Sequence, residues 1–210
     1  MLVPSVKVNL YSASLELSEV TFSNVTSCTP IEPSPLLIAL SKLDDFARST
    51  VSGYLPEAVQ RGIVGEILQR FERVGLKIVG VKMTSPSRDH YYAHYEDIGK
   101  LATRRGEDTL NITLDMMMDG PVIAMVLEGV EAVAVVRKIV GPTEPKSADM
   151  GTIRGDYSHI SFGYADECQK GVPNLIHASG DSDEAVREIE HWFKPEELVN
   201  YHTLSEKFTR

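Results

Sequence analysis

Cysteine is almost missing from this chain: two in 210 residues, Cys28 and Cys168, too few and too far apart for a disulfide framework or a thiolate metal site. That usage points to a reducing compartment, and the cytoplasm is the expected location. Basic residues are also in deficit, 21 against 30 acidic ones, for a net charge of −9. The balance argues against nonspecific nucleic-acid binding, whose affinity comes mainly from phosphate contacts. No apolar run approaches the roughly 20 residues a membrane-spanning helix needs, and the N-terminus has no basic segment leading into an apolar core. Neither GxxxxGK[ST] nor GxGxxG occurs, so any phosphate would be held by side chains rather than by a glycine cradle.

What is present divides near residue 55. Residues 1–47 mix short alternating stretches with a Pro/Ser/Thr-rich piece around Thr29, Pro30, Pro33 and Pro35, and carry no function that can be assigned. The stretch 48–54 is poor as a strand, with polar residues and Gly53 in its interior. Beyond it, Ile63, Ile67 and Phe71 mark one face of a helix that Gly75 can cap. Residues 76–83 read as a strand. A short helix bearing Tyr91, Tyr92 and Tyr95 follows, then a polar loop through Arg104 and Arg105, and a helix over 109–118. The almost wholly apolar run 121–127 suits a strand covered on both faces. Residues 130–140 are helical and stop at Gly141-Pro142, and a long Gly/Pro-punctuated stretch runs from 141 to 173. The alternation of strands and helices predicts an α/β (α+β) sandwich, a split βαβ core with helices on one face of an antiparallel sheet. Residues 48–210 form its domain.

One histidine carries the chemistry. His177 lies in Asn174-Leu175-Ile176-His177-Ala178-Ser179, where an apolar strand meets the start of a helix; Asp181 and Glu184 stand in capping-box spacing, and Glu188 lies on that helix. A neutral imidazole on a rigid strand end, with a carboxylate to hold its second nitrogen, is what a histidine nucleophile requires. A histidine satisfied by backbone at the edge of a core fits the same local pattern. Arg137, Thr143 and Arg154 flank the long stretch, and two arginines with a hydroxyl suit a polyphosphate, because the guanidinium fork binds phosphate oxygens bidentately. His90 and His94 stand at i,i+4, but the glutamate of a zincin motif is missing, so a packed or exposed helix face is the better reading and no metal ligand is assigned.

These motifs together resemble the nucleoside diphosphate kinase family over residues 56–203. The resemblance is carried by Ala58-Val59-Gln60-Arg61-Gly62-Ile63-Val64-Gly65-Glu66-Ile67, His94-Tyr95, Gly120-Pro121-Val122, Gly151-Thr152-Ile153-Arg154-Gly155-Asp156, the His177 segment, and Trp192-Phe193-Lys194-Pro195-Glu196-Glu197. It implies a ferredoxin-like core, nucleoside di- and triphosphates as substrates, Mg²⁺ on the nucleotide phosphates, and a homohexamer or homotetramer. It further implies His177 as the phosphorylated nucleophile, Glu188 as its orienting carboxylate and Ser179 as support for both. Tyr95 and Asn174 become pocket residues, and Arg137, Thr143 and Arg154 clamp the phosphates. The chain departs from the family where a lysine is expected: Leu55-Pro56-Glu57-Ala58 replaces Lys-Pro-Asp-Gly or Lys-Pro-Asp-Ala. A slow kinase, or a noncatalytic nucleotide-binding or oligomerising relative, follows from that loss. The segments between Tyr95 and Gly120 and between Arg154 and Asn174 are longer than in compact members, leaving the residue that stacks on the base unassigned.

Overall fold

The computed structural model describes residues 50–209; the N-terminal piece read over residues 1–47 lies outside the described residues. Four strands form one sheet: β1 (Thr50–Tyr54), β2 (Lys77–Thr84), β3 (Val122–Glu128) and β4 (Ile176–Ala178). Their order is β2-β3-β1-β4 and each neighbouring pair is antiparallel, the topology of a split βαβ core.

Strand β1 is central in spite of its weak sequence, pairing with β3 from Thr50↔Leu127 to Tyr54↔Ile123 and with β4 from Ser52↔Ala178 to Tyr54↔Ile176. Backbone N–H and C=O groups pair whatever side chain they carry, so a strand with a partner on each side does not depend on its own propensity. Gly53 sits opposite both Ala124 and His177, and a Cβ there would meet nothing within 4 Å.

After the short helix α1 (Pro56–Gln60) comes α2 (Val64–Arg73), whose Ile67 and Phe71, one turn apart, are fully buried. Gly75 follows with φ +85°, a left-handed position that glycine takes without a Cβ penalty. Helices α2 and α6 (Ala132–Val140) cover one face of the sheet, with Met125, Leu127, Val136, Val140 and Ile176 in the shared core. Contrary to the expectation of helices on one face only, the other face is covered as well, by α3 (Arg88–Tyr92), α5 (Glu107–Met117) and α9 (Ser182–Trp192), around Tyr91, Leu110, Leu114, Ala124, Val126 and Trp192. Alternate residues of β3 therefore serve different cores, which explains why the run 121–127 is apolar throughout.

Two stretches differ from their sequence reading. Arg104 and Arg105, expected in a polar loop, belong instead to helix α4 (Leu101–Arg105). Glu96 Oε2 accepts from the Ala102 N–H at 2.7 Å, Leu101 packs against the second core, and Leu, Ala and Arg are good helix formers whose charged heads can face water. The stretch 141–173 is not a bare loop, since it contains α7 (Ile153–Tyr157) and α8 (Phe162–Glu167). Thr152 and Ser161 cap them by accepting from the Gly155 and Tyr164 N–H groups.

Candidate active site

His177 is the middle residue of β4, and α9 brings Glu188 against it. Asp181 Oδ1 accepts from the Glu184 N–H at 2.8 Å and fixes where α9 begins. From that start, Glu188 and Trp192, one turn apart, share a buried face. Glu188 Oε1 lies 2.7 Å from His177 Nε2, and Ser179 Oγ donates to Glu188 Oε2. Glu188 is fully buried while the His177 side chain keeps 25% of its surface open. Burial alone pushes the Glu188 carboxyl up, but His177, through charge and hydrogen bond, together with the hydrogen bond from Ser179, outweighs it and holds the group below its usual range. An ionised carboxylate then accepts the Nε2 proton, and Nδ1 is left as the unprotonated ring nitrogen. Among the described residues no hydrogen bond engages that Nδ1.

The strand carrying His177 is entered through a strained turn. Leu175, a non-glycine residue, has φ +73°, and the Ile176 N–H reaches back to Asn174 O at 2.9 Å. Three neighbours hold this turn. Glu57 Oε1 accepts from the Leu175 N–H at 2.8 Å, and Leu55 N–H donates to Leu175 O at 3.0 Å. The third is Arg154, buried, which donates from Nε to Asn174 O at 3.1 Å, from Nη1 to Gly141 O at 2.9 Å, and from Nη2 to Ile176 O. Burial and the nearby Arg137 lower the Arg154 guanidinium to about 10, still charged at neutral pH.

The remaining expected residues gather on the same side. Arg137 Nη1 donates to Ser179 O at 3.4 Å, and Asn174 Nδ2 donates to Thr143 O at 3.2 Å. Thr143 is exposed. The Tyr95 ring centroid lies 6.2 Å from that of His177, with the hydroxyl 3.4 Å from Met117 Sδ. Desolvation raises the Tyr95 phenol far above its usual range, so it stays protonated. Leu55, 4% exposed, packs among apolar residues and lines a small cavity behind His177 together with Gly53, His94, Tyr95, Met117 and Trp192. A wider cleft opens beside it, between Ile112 and Met116 of α5 and Gly171 and Pro173 of the long stretch.

Three contributors were not assigned from sequence. Glu57 braces the turn from 118 residues away, and burial raises its carboxyl against the pull of the Leu175 N–H and of Arg61 and Arg154. His94 and Trp192 stand behind the nucleophile: the two histidine rings meet edge to face with centroids 4.6 Å apart, and Trp192 Nε1 donates to His94 Nδ1 at 3.2 Å. The available signal was the i,i+4 spacing of Glu188 and Trp192.

Among the described residues, His94, His177 and Glu188 are the group whose donor atoms fall within 4.8 Å of one another. That set does not suit Mg²⁺, which prefers octahedral oxygen; two donors are imidazoles and His94 Nδ1 is already occupied by an indole N–H. No helix among the described residues is long and apolar enough to cross a membrane.

A family model for nucleoside diphosphate kinase matches residues 49–198. A nucleoside diphosphate kinase of Borreliella burgdorferi is 45% identical over 150 residues, 70% of this chain and 87% of that one. One of Pyrococcus furiosus is 44% identical over 155 residues, 74% of this chain and 88% of that one. Among solved structures, a transition-state mimic of the Borrelia burgdorferi nucleoside-diphosphate kinase with bound vanadate and ADP matches with a TM-score of 0.76 at 40% identity, covering 78% of this chain and 97% of that one. A Pyrobaculum aerophilum NDP kinase matches with a TM-score of 0.67 at 37% identity, over 73% of this chain and all of the other.

Proposed function

The chain belongs to the nucleoside diphosphate kinase family, and from that premise we propose that His177 is the residue on which the phosphoryl group is carried. The enzyme transfers phosphate between nucleotides. His177 Nδ1 attacks the terminal phosphorus of a nucleoside triphosphate, a P–N bond forms, and the bond to the bridging oxygen breaks as the diphosphate leaves with that electron pair. An acceptor diphosphate then enters the same site and its terminal oxygen takes the phosphoryl group, freeing the ring. The observation that carries this reading is the 2.7 Å contact from His177 Nε2 to the buried Glu188, which fixes the tautomer and leaves Nδ1 as the nucleophile.

The other residues bind and orient. Arg137, exposed beside the nucleophile, is the cation best placed for the transferring phosphate, with Thr143 and Asn174 on the same rim and Tyr95 on the pocket wall. Arg154 adds positive charge from within, while its hydrogen bonds to Asn174 O, Gly141 O and Ile176 O hold the turn at Leu175. Positioning and charge compensation of this kind supply most of the catalysis in phosphoryl transfer. Mg²⁺ arrives with the nucleotide, on its phosphate oxygens, as part of the substrate. The assembly is a homohexamer or homotetramer, the family expectation. A cytoplasmic location rests on the sparse cysteines; a spinach relative at 40% identity is chloroplastic by name.

Leu55 favours a second reading, a catalytically weak relative that binds nucleotide or serves in an assembly, because an aliphatic side chain, and among the described residues no ammonium, stands at that strand end. Incubation with ATP labelled in its terminal phosphate separates the two. Acid-labile, base-stable label on the protein supports the kinase; no label with intact nucleotide binding supports the scaffold.

A further inference from the structure

We propose that His94 is a positioning residue, held as a neutral hydrogen-bond acceptor by the indole N–H of Trp192 so that Glu188 Oε1 serves His177 alone. The proposal rests on the reading of His177 as nucleophile. Its starting point is a crowded oxygen: Glu188 Oε1 lies 2.7 Å from His177 Nε2 and 3.6 Å from His94 Nδ1. Two imidazoles therefore border one carboxylate oxygen, and the reaction needs it committed to one of them.

Trp192 makes the choice. An indole nitrogen can only donate, so the 3.2 Å bond from Trp192 Nε1 to His94 Nδ1 requires an unprotonated Nδ1 and places the ring proton on Nε2. His94 then has no proton to offer Glu188 Oε1, and His177 Nε2–H keeps that acceptor. Were His94 protonated on Nδ1, it would lose the indole bond and reach for the same oxygen. The second N–H would draw charge from the carboxylate that orients His177 and makes it basic.

The surroundings maintain the neutral state. His94 is 4% exposed, and burial lowers it to about 3, reinforced by the neighbouring His177, His191 and His90 and only partly opposed by Glu188. The groups facing it are His90 and Tyr95 from its own segment, His177 from β4, and Glu188, His191 and Trp192 from α9. His94 also lies in a π-helical turn, Ala93–Ile98, that continues α3. Such wide turns recur at functional sites because they redirect side chains out of α-helical register.

The test uses the intact chain and reads pH dependence, which a merely structural role would not move. Trp192→Phe keeps the aromatic packing and removes the donor. The acid limb of its kcat/KM profile should move up by about one pH unit. Adding His94→Leu should abolish that movement, because the competing titration is gone. A Trp192→Phe profile that superimposes on the parent overturns the proposal, as does a shift that persists in the double variant. Imidazole NMR of the unsubstituted protein needs no variant to fold: the Nε2–H tautomer at His94, neutral down to about pH 5, is expected, and the Nδ1–H tautomer or protonation above that pH overturns it. Phosphohistidine labelling of the same sample is read separately. Its absence removes the premise about His177, whereas labelling with an unshifted Trp192→Phe profile removes only the role of His94.

Discussion

Glu188 Oε1 and His177 Nε2 lie 2.7 Å apart, joining the one fully buried carboxylate of α9 to a ring that remains open to solvent on its other side. The pair divides the labour of the imidazole. One nitrogen is anchored in the protein interior, and the other is left for chemistry.

If that division is right, His177→Ala abolishes both protein labelling and phosphate exchange while nucleotide binding persists, because Arg137, Thr143 and Asn174 are untouched. Labelling by ATP in the variant, followed by mapping of any residual label, checks it. Undiminished label would move the nucleophile elsewhere.

Glu188→Gln keeps the size of the side chain and removes its charge. Turnover should fall about 10- to 100-fold without vanishing, since Nδ1 survives but its orientation and basicity weaken. Far-ultraviolet circular dichroism establishes that the variant is folded, and steady-state kinetics give the ratio. Wild-type turnover would reduce Glu188 to a structural acid.

The buried His94 also ties stability to pH. Its folded value of about 3 lies below the 6.5 of an ordinary histidine, so between those limits the unfolded chain binds a proton that the folded one does not. Stability then rises with pH across this window and falls on acidification from about pH 6.5, by up to about 1.4 kcal/mol per unit for this one group. His90, lowered to about 4 chiefly by burial, acts in the same direction. Denaturant titrations at about pH 7 and pH 5, above the carboxylate range, should show the parent losing about 1–2 kcal/mol more than His94→Leu. Equal losses would show that His94 carries a proton in the native state.

Assembly is checked by sedimentation. A hexamer or tetramer is expected at micromolar concentration, closed by rotational symmetry as such oligomers usually are. A monomer would contradict it.

Much of this site was readable from local sequence, and the reason is local. The Asp181–Glu184 cap, the helical recurrence of Ala185, Ile189 and Trp192, and the apolar approach to His177 are all encoded within about twenty residues, where periodicity and capping rules operate. What escaped depends on distant partners. Strand β1 looks weak because its stability comes from ladders on both sides. Glu57 has no visible role until Leu175 folds against it, and a histidine at i,i+4 from another does not reveal which of the two will be buried against a nucleophile. Helix α4 was missed because two arginines in a row suggest a loop, yet they cost nothing on a solvent-facing turn.

The formed β1 sharpens the last prediction. Its pairing with β3 and β4 brings position 55 in register to the turn that precedes His177, where Leu55 N–H meets Leu175 O at 3.0 Å. An aliphatic side chain there cannot donate to a phosphate, and losing one preorganised donor typically costs on the order of 10² to 10³ in rate. The unmodified enzyme should therefore be slow, and Leu55→Lys should raise kcat/KM by about tenfold or more. Recovery should be incomplete, since the new ammonium must leave an apolar cavity lined by Met117, Val122 and Trp192 to reach the phosphate. Leu55→Met controls for shape, because it fills similar volume without a charge. No gain in Leu55→Lys, or ordinary family rates in the parent, would mean that another cation serves the site. Of the nearby cations in sequence, Lys42 and Arg48 lie outside the described residues and Arg61 already donates to Tyr157 O at 2.8 Å, which leaves Arg137 as the first side chain to substitute.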